Sequence, residues 1–215
     1  MNVFDPVDIY KVNQYAHSGE IRGKPKMFLS FDDGLSECYE FVRPILKEKS
    51  IPAAFFINTD FIDNKGMFFR YKLSVLSAQL LTASLVQIEE LKNILGLKTS
   101  SRKRIVDSLM QLSKDDEHLI EESALVLEVD FADYLESHKP YMTLEQLESL
   151  KRDGFTLGGH GTDHSLISSL PYACQENELM SCMNKMKNLF DLDLFIFAFP
   201  FTDFGVQDSL FKYMY

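Results

Sequence analysis

The chain has 215 residues, of which 46% are hydrophobic and 25% are charged. That length predicts one main domain with a subdomain, because two independent domains would each be left with a small core. The net charge of −10 argues against a nucleic-acid backbone or an anionic membrane surface as partner, whereas a neutral sugar is compatible with it. Three cysteines without a Cys-x-x-Cys pair predict reduced thiols instead of a disulfide framework.

The N-terminal residues 1–24 show no hydrophobic period and are predicted to form an arm on the outside of the main domain. They also lack the continuous apolar core of a secretory signal or of a membrane span. We therefore expect a cytoplasmic protein without a transmembrane segment.

The first candidate motif, residues 28–34, joins an apolar run to two adjacent carboxylates and a glycine. This pattern predicts a buried strand that delivers Asp32 and Asp33 to the edge of a sheet, where catalytic groups often lie. Because adjacent residues on a strand point to opposite faces, one acid can hold a cation while the other handles a proton. Taken alone, however, Asp-Asp-Gly after a strand is more often a simple turn.

A helix and a second strand are predicted after this motif. Ser36 is the expected N-cap of the helix, and Pro44 either kinks the helix or begins its second half. Residues 53–57 are wholly apolar, which predicts a strand that is covered on both faces.

Residues 67–139 contain helix-forming sequence without strand signals. We interpret them as an inserted helical subdomain whose apolar stripes pack against one another, with a substrate-gripping lid as the less favoured alternative. His118 and His138 lie in this segment without companions and are expected on its surface or at an interface. Helical spacing predicts four helices, over 69–81, 85–95, 102–112 and 118–135.

A second candidate motif follows a short strand that is predicted over 155–157. Residues 158–165 carry His160 and His164 within a glycine-rich segment, which favours a tight loop over a regular helix. Two neutral imidazoles and one carboxylate make a three-ligand set that leaves room for water, as in a catalytic zinc site. The alternative is an ordinary surface loop, because a lone His-x-x-x-His pair also occurs by chance.

The C-terminal part is predicted to repeat the same pattern of strands and helices. Thr143 and Gln146 match a capping box at the start of one helix, and a stripe at helical spacing predicts another over 172–190. A strand over 195–199 ends at Pro200, where a binding loop can begin. Strands and helices alternate on both sides of the insert, which implies parallel βα units.

The Ser-Phe-Asp-Asp-Gly and His-Gly-Thr-Asp-His segments, in this order, resemble the first two motifs of the polysaccharide deacetylase family (NodB-homology domains, carbohydrate esterase family 4). Residues 42–46, 51–57 and 142–147 are similar to the framework of that family. Residues 197–201 resemble its third motif.

The resemblance implies an α/β fold. The expected architecture is a distorted, incomplete (β/α)7-type barrel of the NodB-like kind, formed by residues 25–66 and 140–215 and interrupted by the helical insert 67–139. Such a barrel would expose an open edge, through which the protein could associate with itself.

The resemblance also implies a function. By matching position, Asp33, His160 and His164 correspond to the metal ligands of the family, and Asp32 corresponds to its catalytic base. The implied cofactor is a divalent metal, with Zn²⁺ favoured over Co²⁺ or another ion. The implied reaction removes acetyl groups from an N-acetylated or O-acetylated carbohydrate. Contacts to this glycan substrate are expected from Pro200 and Phe201.

Three departures from the family pattern keep other functions open. No histidine follows His164 to act as the general acid, Gly161 replaces the usual Ser or Thr, and the third motif lacks an arginine. The second hypothesis is therefore a catalytically impaired or truncated deacetylase-like protein that binds carbohydrate or metal. A third, an aspartyl phosphotransferase that uses Asp32, is disfavoured because that chemistry needs acids two positions apart and gives the histidines no task.

Overall fold

The structure is a computed structural model and describes residues 3–213. The chain divides into two compact units, Met1–Lys65 with Pro140–Tyr215 as the first and Gly66–Lys139 as the second. The first unit combines α-helices with parallel strands. The second, all of whose residues are described, is helical and contains no strand.

The N-terminal part contains a helix that the sequence pattern does not predict. Strand β1 (Asp5–Pro6) pairs in parallel with β2 (Lys26–Met27), and helix α1 (Ile9–Ser18) connects them. Asp8 caps α1 by accepting a hydrogen bond from the Lys11 amide at 2.8 Å. No residue of α1 is buried, so the helix has no core-facing stripe that a search for hydrophobic periodicity could detect.

A parallel sheet forms from three short strands in the order β3, β4, β5. They are Ser30–Phe31, Ala54–Ile57 and Thr156–Gly159, and Phe55 lies opposite Leu157. All four residues of β4 are buried, as its apolar sequence predicts for a central strand. The prediction of parallel βα units is confirmed, and parallel pairing brings the carboxyl ends of the three strands to one edge.

The segment 196–198 extends this sheet beyond β5. The Gly159 amide donates to the Ile196 carbonyl at 2.9 Å, and the Ala198 amide donates to the Gly159 carbonyl at 3.0 Å. Phe197 makes a single parallel bridge here, so the predicted strand over 195–199 is reduced to one pairing. Among residues 3–213 the sheets stay open and no closed barrel forms.

Pro44 begins the second half of the helix that follows the first motif. Residues Cys38–Val42 form a π-helical turn, and helix α2 (Arg43–Lys49) has Pro44 in its first turn. Proline is tolerated there because its missing amide hydrogen lies among the groups that a helix leaves unpaired at its start. The predicted Ser36 cap is wrong, because Ser36 and Glu37 are already helical and no side chain caps the π-helical turn that follows.

The second unit contains five α-helices where the sequence predicts four. They are α3 to α7: Phe69–Gln79, Leu85–Ile94, Arg102–Leu109, Glu117–Val126 and Phe131–His138. The predicted single helix over 118–135 is wrong, because Glu128 is left-handed (φ 55°) and Asp130 caps a new helix. The helices pack against one another through buried apolar side chains, including Leu73, Leu76, Leu91, Ile105, Leu109 and Ile120.

The C-terminal part of the first unit carries α8 (Leu144–Arg152), α9 (Tyr172–Phe190) and α10 (Asp208–Tyr213). The predicted capping box is confirmed, since the Thr143 hydroxyl accepts from the Gln146 amide at 3.2 Å and Gln146 accepts from the Thr143 amide at 2.9 Å. None of the helices within residues 3–213 has both the length and the apolar character needed to span a membrane. Short 3-10 turns occur at Ile62–Asn64, Lys114–Asp116 and Ile167–Ser169.

Candidate metal centre

Asp33 leaves the sheet in a left-handed turn. Asp33 is the second residue after β3, and the φ angles of Asp33 and Gly34 are 69° and 72°. Aspartate and glycine tolerate this conformation better than most residues, so the Asp-Asp-Gly order suits the turn. The Met142 amide holds the turn by donating to the Gly34 carbonyl at 2.9 Å. The motif is therefore a turn and also the source of a carboxylate at the strand edge.

The histidine loop, residues 160–164, continues the hydrogen-bond ladder of the sheet past β5. The His160 amide donates to the Ile57 carbonyl at 2.9 Å, and the Asp60 amide donates to the Thr162 carbonyl at 3.0 Å. His164 then adopts a left-handed conformation with φ 61°. The loop is irregular, as its glycines predict, but its first half is held by backbone hydrogen bonds.

Two glycines before the loop are required by close packing. A Cβ on Gly158 would lie 2.7 Å from side-chain atoms of Phe56 and Ile196, and a Cβ on Gly159 would lie 2.7 Å from Cys182 Sγ. Contacts this short overpack a protein interior. Larger residues at these positions would displace the end of β5, and with it the histidine loop.

Three side chains from distant parts of the sequence converge beyond the strand ends. Asp33 Oδ1 lies 3.2 Å from His164 Nε2 and 3.5 Å from His160 Nε2. Each candidate ligand atom lies within 4.8 Å of the other two, and His160 and His164 are 3% and 6% exposed. Within residues 3–213, these three side chains form the group of histidine, cysteine and acidic residues that could share a metal ion.

The protonation of this group suits a cation. His160 Nδ1 lies 2.8 Å from the Ala198 carbonyl oxygen, so we assign the ring hydrogen of the neutral imidazole to Nδ1. Nε2 of His160 then presents a lone pair to Asp33. Asp33 Oδ1 is buried and receives no well-formed hydrogen bond from the described residues. A metal ion would satisfy both lone pairs, and one carboxylate with two imidazoles is a donor set that suits Zn²⁺ or another first-row ion.

Burial and charge favour the ionisation states that bind metal. Burial lowers the pKa of His160 below its ordinary value, although the Ala198 carbonyl and the charges of Asp32 and Asp33 act in the opposite direction. Burial acts to raise the pKa of Asp33, but the interaction with His164 and then with His160 outweighs it, so this pKa lies below its usual value. Neutral imidazole and ionised carboxylate are the forms that coordinate a cation.

Asp32 lies beside this group without belonging to it. Its side chain is exposed, in contrast to the buried histidines. Its negative charge acts to raise the pKa of His160, but burial outweighs this effect and the pKa stays below its ordinary value. A solvent-exposed carboxylate therefore stands next in the chain to the candidate ligand Asp33.

The third motif borders the same site. Phe201 has φ 63°, and its ring meets the His164 ring edge-on, with centroids 4.7 Å apart. Pro200 packs against the histidine loop, because its Cγ would lie 3.5 Å from a Cβ on Gly161. Phe201 is 49% exposed, which leaves about half of the residue open to a ligand. The role of Pro200 and Phe201 in substrate binding stays a prediction.

Three supporting contacts have no motif in the sequence. The Ala198 carbonyl orients His160, and the Asn58 side-chain amide donates to the His160 carbonyl. Glu178 of α9 accepts the Thr162 hydroxyl, which lies within hydrogen-bond distance of both carboxylate oxygens. A polar residue that directly follows an apolar strand could have marked Asn58. No sequence pattern of this kind marks the Ala198 carbonyl or Glu178 on α9.

A comparison with protein families matches residues 19–210 to the polysaccharide deacetylase model. A comparison with curated protein sequences finds no significant match.

Several solved structures are similar to the chain. IcaB from Ammonifex degensii gives a TM-score of 0.59 at 15% identity, over 98% of this chain and 66% of that one. The deacetylase PplD of Streptococcus pyogenes, solved in complex with acetate, gives a TM-score of 0.56 at 12% identity, over 97% of this chain and 60% of that one. The BpsB deacetylase domain from Bordetella bronchiseptica gives a TM-score of 0.57 at 14% identity, over 98% of this chain and 69% of that one. The chain thus spans less than two thirds of the length of IcaB and of PplD. At these identities the likeness establishes the fold alone, and it confirms the predicted α/β class.

Proposed function

The chain belongs to the polysaccharide deacetylase family, and from this premise we propose that it is a metal-dependent hydrolase that removes acetyl groups from a carbohydrate. One observation supports this most directly: Asp33 Oδ1 lies 3.2 and 3.5 Å from the Nε2 atoms of His164 and His160, next to the exposed carboxylate of Asp32. Three ligands with an open position are what a catalytic metal needs, whereas a structural site is closed by four.

We assign the metal to Asp33 Oδ1 and to the two Nε2 atoms, and we propose Zn²⁺ as the ion. When bound, such an ion lowers the pKa of water and polarises a carbonyl oxygen, here that of the acetyl group. The protein contributes the orientation of the ligands: the Ala198 carbonyl fixes the tautomer of His160, and the left-handed turn at Asp33 aims its carboxylate at the histidines.

Asp32 is the proposed general base. Its carboxylate is exposed and can take a proton from the attacking water. We propose that the protonated Asp32 then returns this proton to the leaving amine or hydroxyl. One carboxylate would then act first as base and afterwards as acid.

Phe201 is proposed to contact the apolar face of a sugar ring. Replacing Phe201 with alanine should raise KM about tenfold, because losing roughly 50 Å² of apolar contact costs about 1.3 kcal/mol. Because the Phe201 ring also packs against the His164 ring, KM is compared at saturating Zn²⁺. Phe204→Ala is the matched control: Phe204 lies in the same segment and is 86% exposed. Equal KM values for both variants and the wild type would contradict the assignment.

Acetate release from a panel of N-acetylated and O-acetylated sugars tests the proposal as a whole. We expect release in the presence of Zn²⁺ or Co²⁺, its loss on chelation and its recovery when metal is restored. The panel also decides between N- and O-deacetylation. Metal binding without acetate release from any sugar would favour the second candidate, a catalytically impaired protein.

A further inference from the structure

Helix α9 forms hydrogen bonds with the histidine loop midway between His160 and His164. The single hydrogen of the Thr162 hydroxyl is shared between the two carboxylate oxygens of Glu178, which lie 2.8 and 2.7 Å from the hydroxyl oxygen, and Oε1 also accepts the Thr162 amide. Thr162 lies two residues after His160 and two before His164. One side chain of α9 therefore satisfies both donors of the central residue of the loop.

The same face of α9 also contacts Gly161, the end of β5 and the segment that follows β4. A Cβ on Gly161 would lie 3.1 Å from Glu178 Oε1, and Cys182 Sγ lies directly beneath Gly159. One helical turn further, Lys185 forms an ion pair with Asp60 at 2.9 Å. Residues 178, 182 and 185 fall on one side of a helix because they are spaced four and three apart.

Glu178 is the member of this stripe that can fix the loop by hydrogen bonds to its centre. Cys182 packs against the loop but stays neutral, since burial raises the pKa of its thiol to about 12. Gly161 has φ 79° and no side chain of its own to hold the loop. The Gly161 and Thr162 carbonyls accept hydrogen bonds from the Thr59 and Asp60 amides, and Glu178 adds the bonds that hold the amide and hydroxyl of Thr162.

We infer that Glu178 is a positioning residue for the metal centre. By clamping Thr162, it sets the relative orientation of the His160 and His164 imidazoles before a cation arrives. Residues that orient metal ligands contribute strongly to metal affinity, because the ion then binds a site whose ligands are already ordered. This inference rests on the proposed metal-dependent function.

The test measures Zn²⁺ affinity by calorimetry and Co²⁺ coordination by visible absorption, on the full chain. Glu178→Ala should weaken Zn²⁺ binding by about 10-fold to 100-fold and change the Co²⁺ spectrum. Glu178→Gln, which keeps an acceptor for Thr162, should recover most of the affinity, and Thr162→Ser should retain all of it. Glu176→Ala on the same helix is the matched control and should bind as the wild type does.

Thr162→Val provides a second route if Glu178→Ala does not fold, because it removes only the hydroxyl and should also weaken Zn²⁺ binding. Wild-type affinity in both Glu178→Ala and Thr162→Val would overturn the inference, as would a loss of thermal stability without any change in affinity. A wild-type chain that binds no cation would overturn the inference together with the proposed function. Normal metal binding without acetate release would contradict the function alone, since the affinities of the variants still decide the role of Glu178.

Discussion

Replacing Asp33 with asparagine is expected to lower Zn²⁺ affinity by more than about 100-fold, beyond the usual effect of losing an outer partner of a metal ligand. Asp33 supplies the negatively charged ligand of the three, and Oδ1 lies 3.2 and 3.5 Å from the two imidazole nitrogens. An amide oxygen cannot replace that charge. Acetate release should fall below detection, because the proposed reaction requires the metal. Calorimetry with Zn²⁺ and an acetate assay check the two effects separately.

Asparagine is the informative replacement because Asp33 has a left-handed backbone with φ 69°. Asparagine tolerates this conformation, whereas alanine would add about 1 kcal/mol or more of backbone strain. Asp63→Asn is the matched control: Asp63 is also left-handed, with φ 61°, and it lies outside the metal group. Zn²⁺ affinity should be unchanged in that variant. Wild-type affinity in Asp33→Asn would show that the cation binds elsewhere.

Replacing Asp32 with asparagine is expected to reduce kcat by about 10²-fold to 10⁴-fold, the usual contribution of a general base. Asparagine has nearly the same shape but cannot accept a proton from water at neutral pH. Metal affinity should be retained, because Asp32 is exposed and is not a member of the metal group. Parallel titrations with Zn²⁺ and steady-state acetate assays distinguish this outcome from loss of the metal.

Glu37→Gln serves as the control for a change of charge near the motif, since Glu37 is another exposed acid in the same segment. It should leave kcat unchanged. Equal losses of Zn²⁺ binding and acetate release in Asp32→Asn would contradict the division of roles between Asp32 and Asp33. Unchanged kcat in Asp32→Asn would instead show that another group takes the proton.

Much of the sheet follows from local sequence. The wholly apolar β4 is buried as expected, and the abrupt change from apolar residues to carboxylates marks the end of β3. Both features depend on side chains that are adjacent in the chain, which is why a linear pattern reveals them. Pro44 and the capping box before α8 are predictable for the same reason.

Other elements escaped prediction because their determinants are weak or distant. Helix α1 buries no side chain and so has no periodic stripe. The break between α6 and α7 depends on a left-handed conformation at Glu128, a residue type that gives little indication of it. Residues 195–199 carry an apolar strand pattern, yet only Phe197 pairs with the sheet.

The sequence by itself determined which residues are candidates for the chemistry, because a strand end rich in carboxylates and a glycine-rich loop with two histidines are local patterns. The pattern left open which acid faces the histidines, and the family resemblance assigned that place to Asp33. Only the tertiary structure decided that Asp33 Oδ1 lies 3.2 Å from His164 Nε2 and that Glu178 holds Thr162. These are distances between segments far apart in the chain, and they depend on how strands and helices pack, which no local pattern of residues specifies.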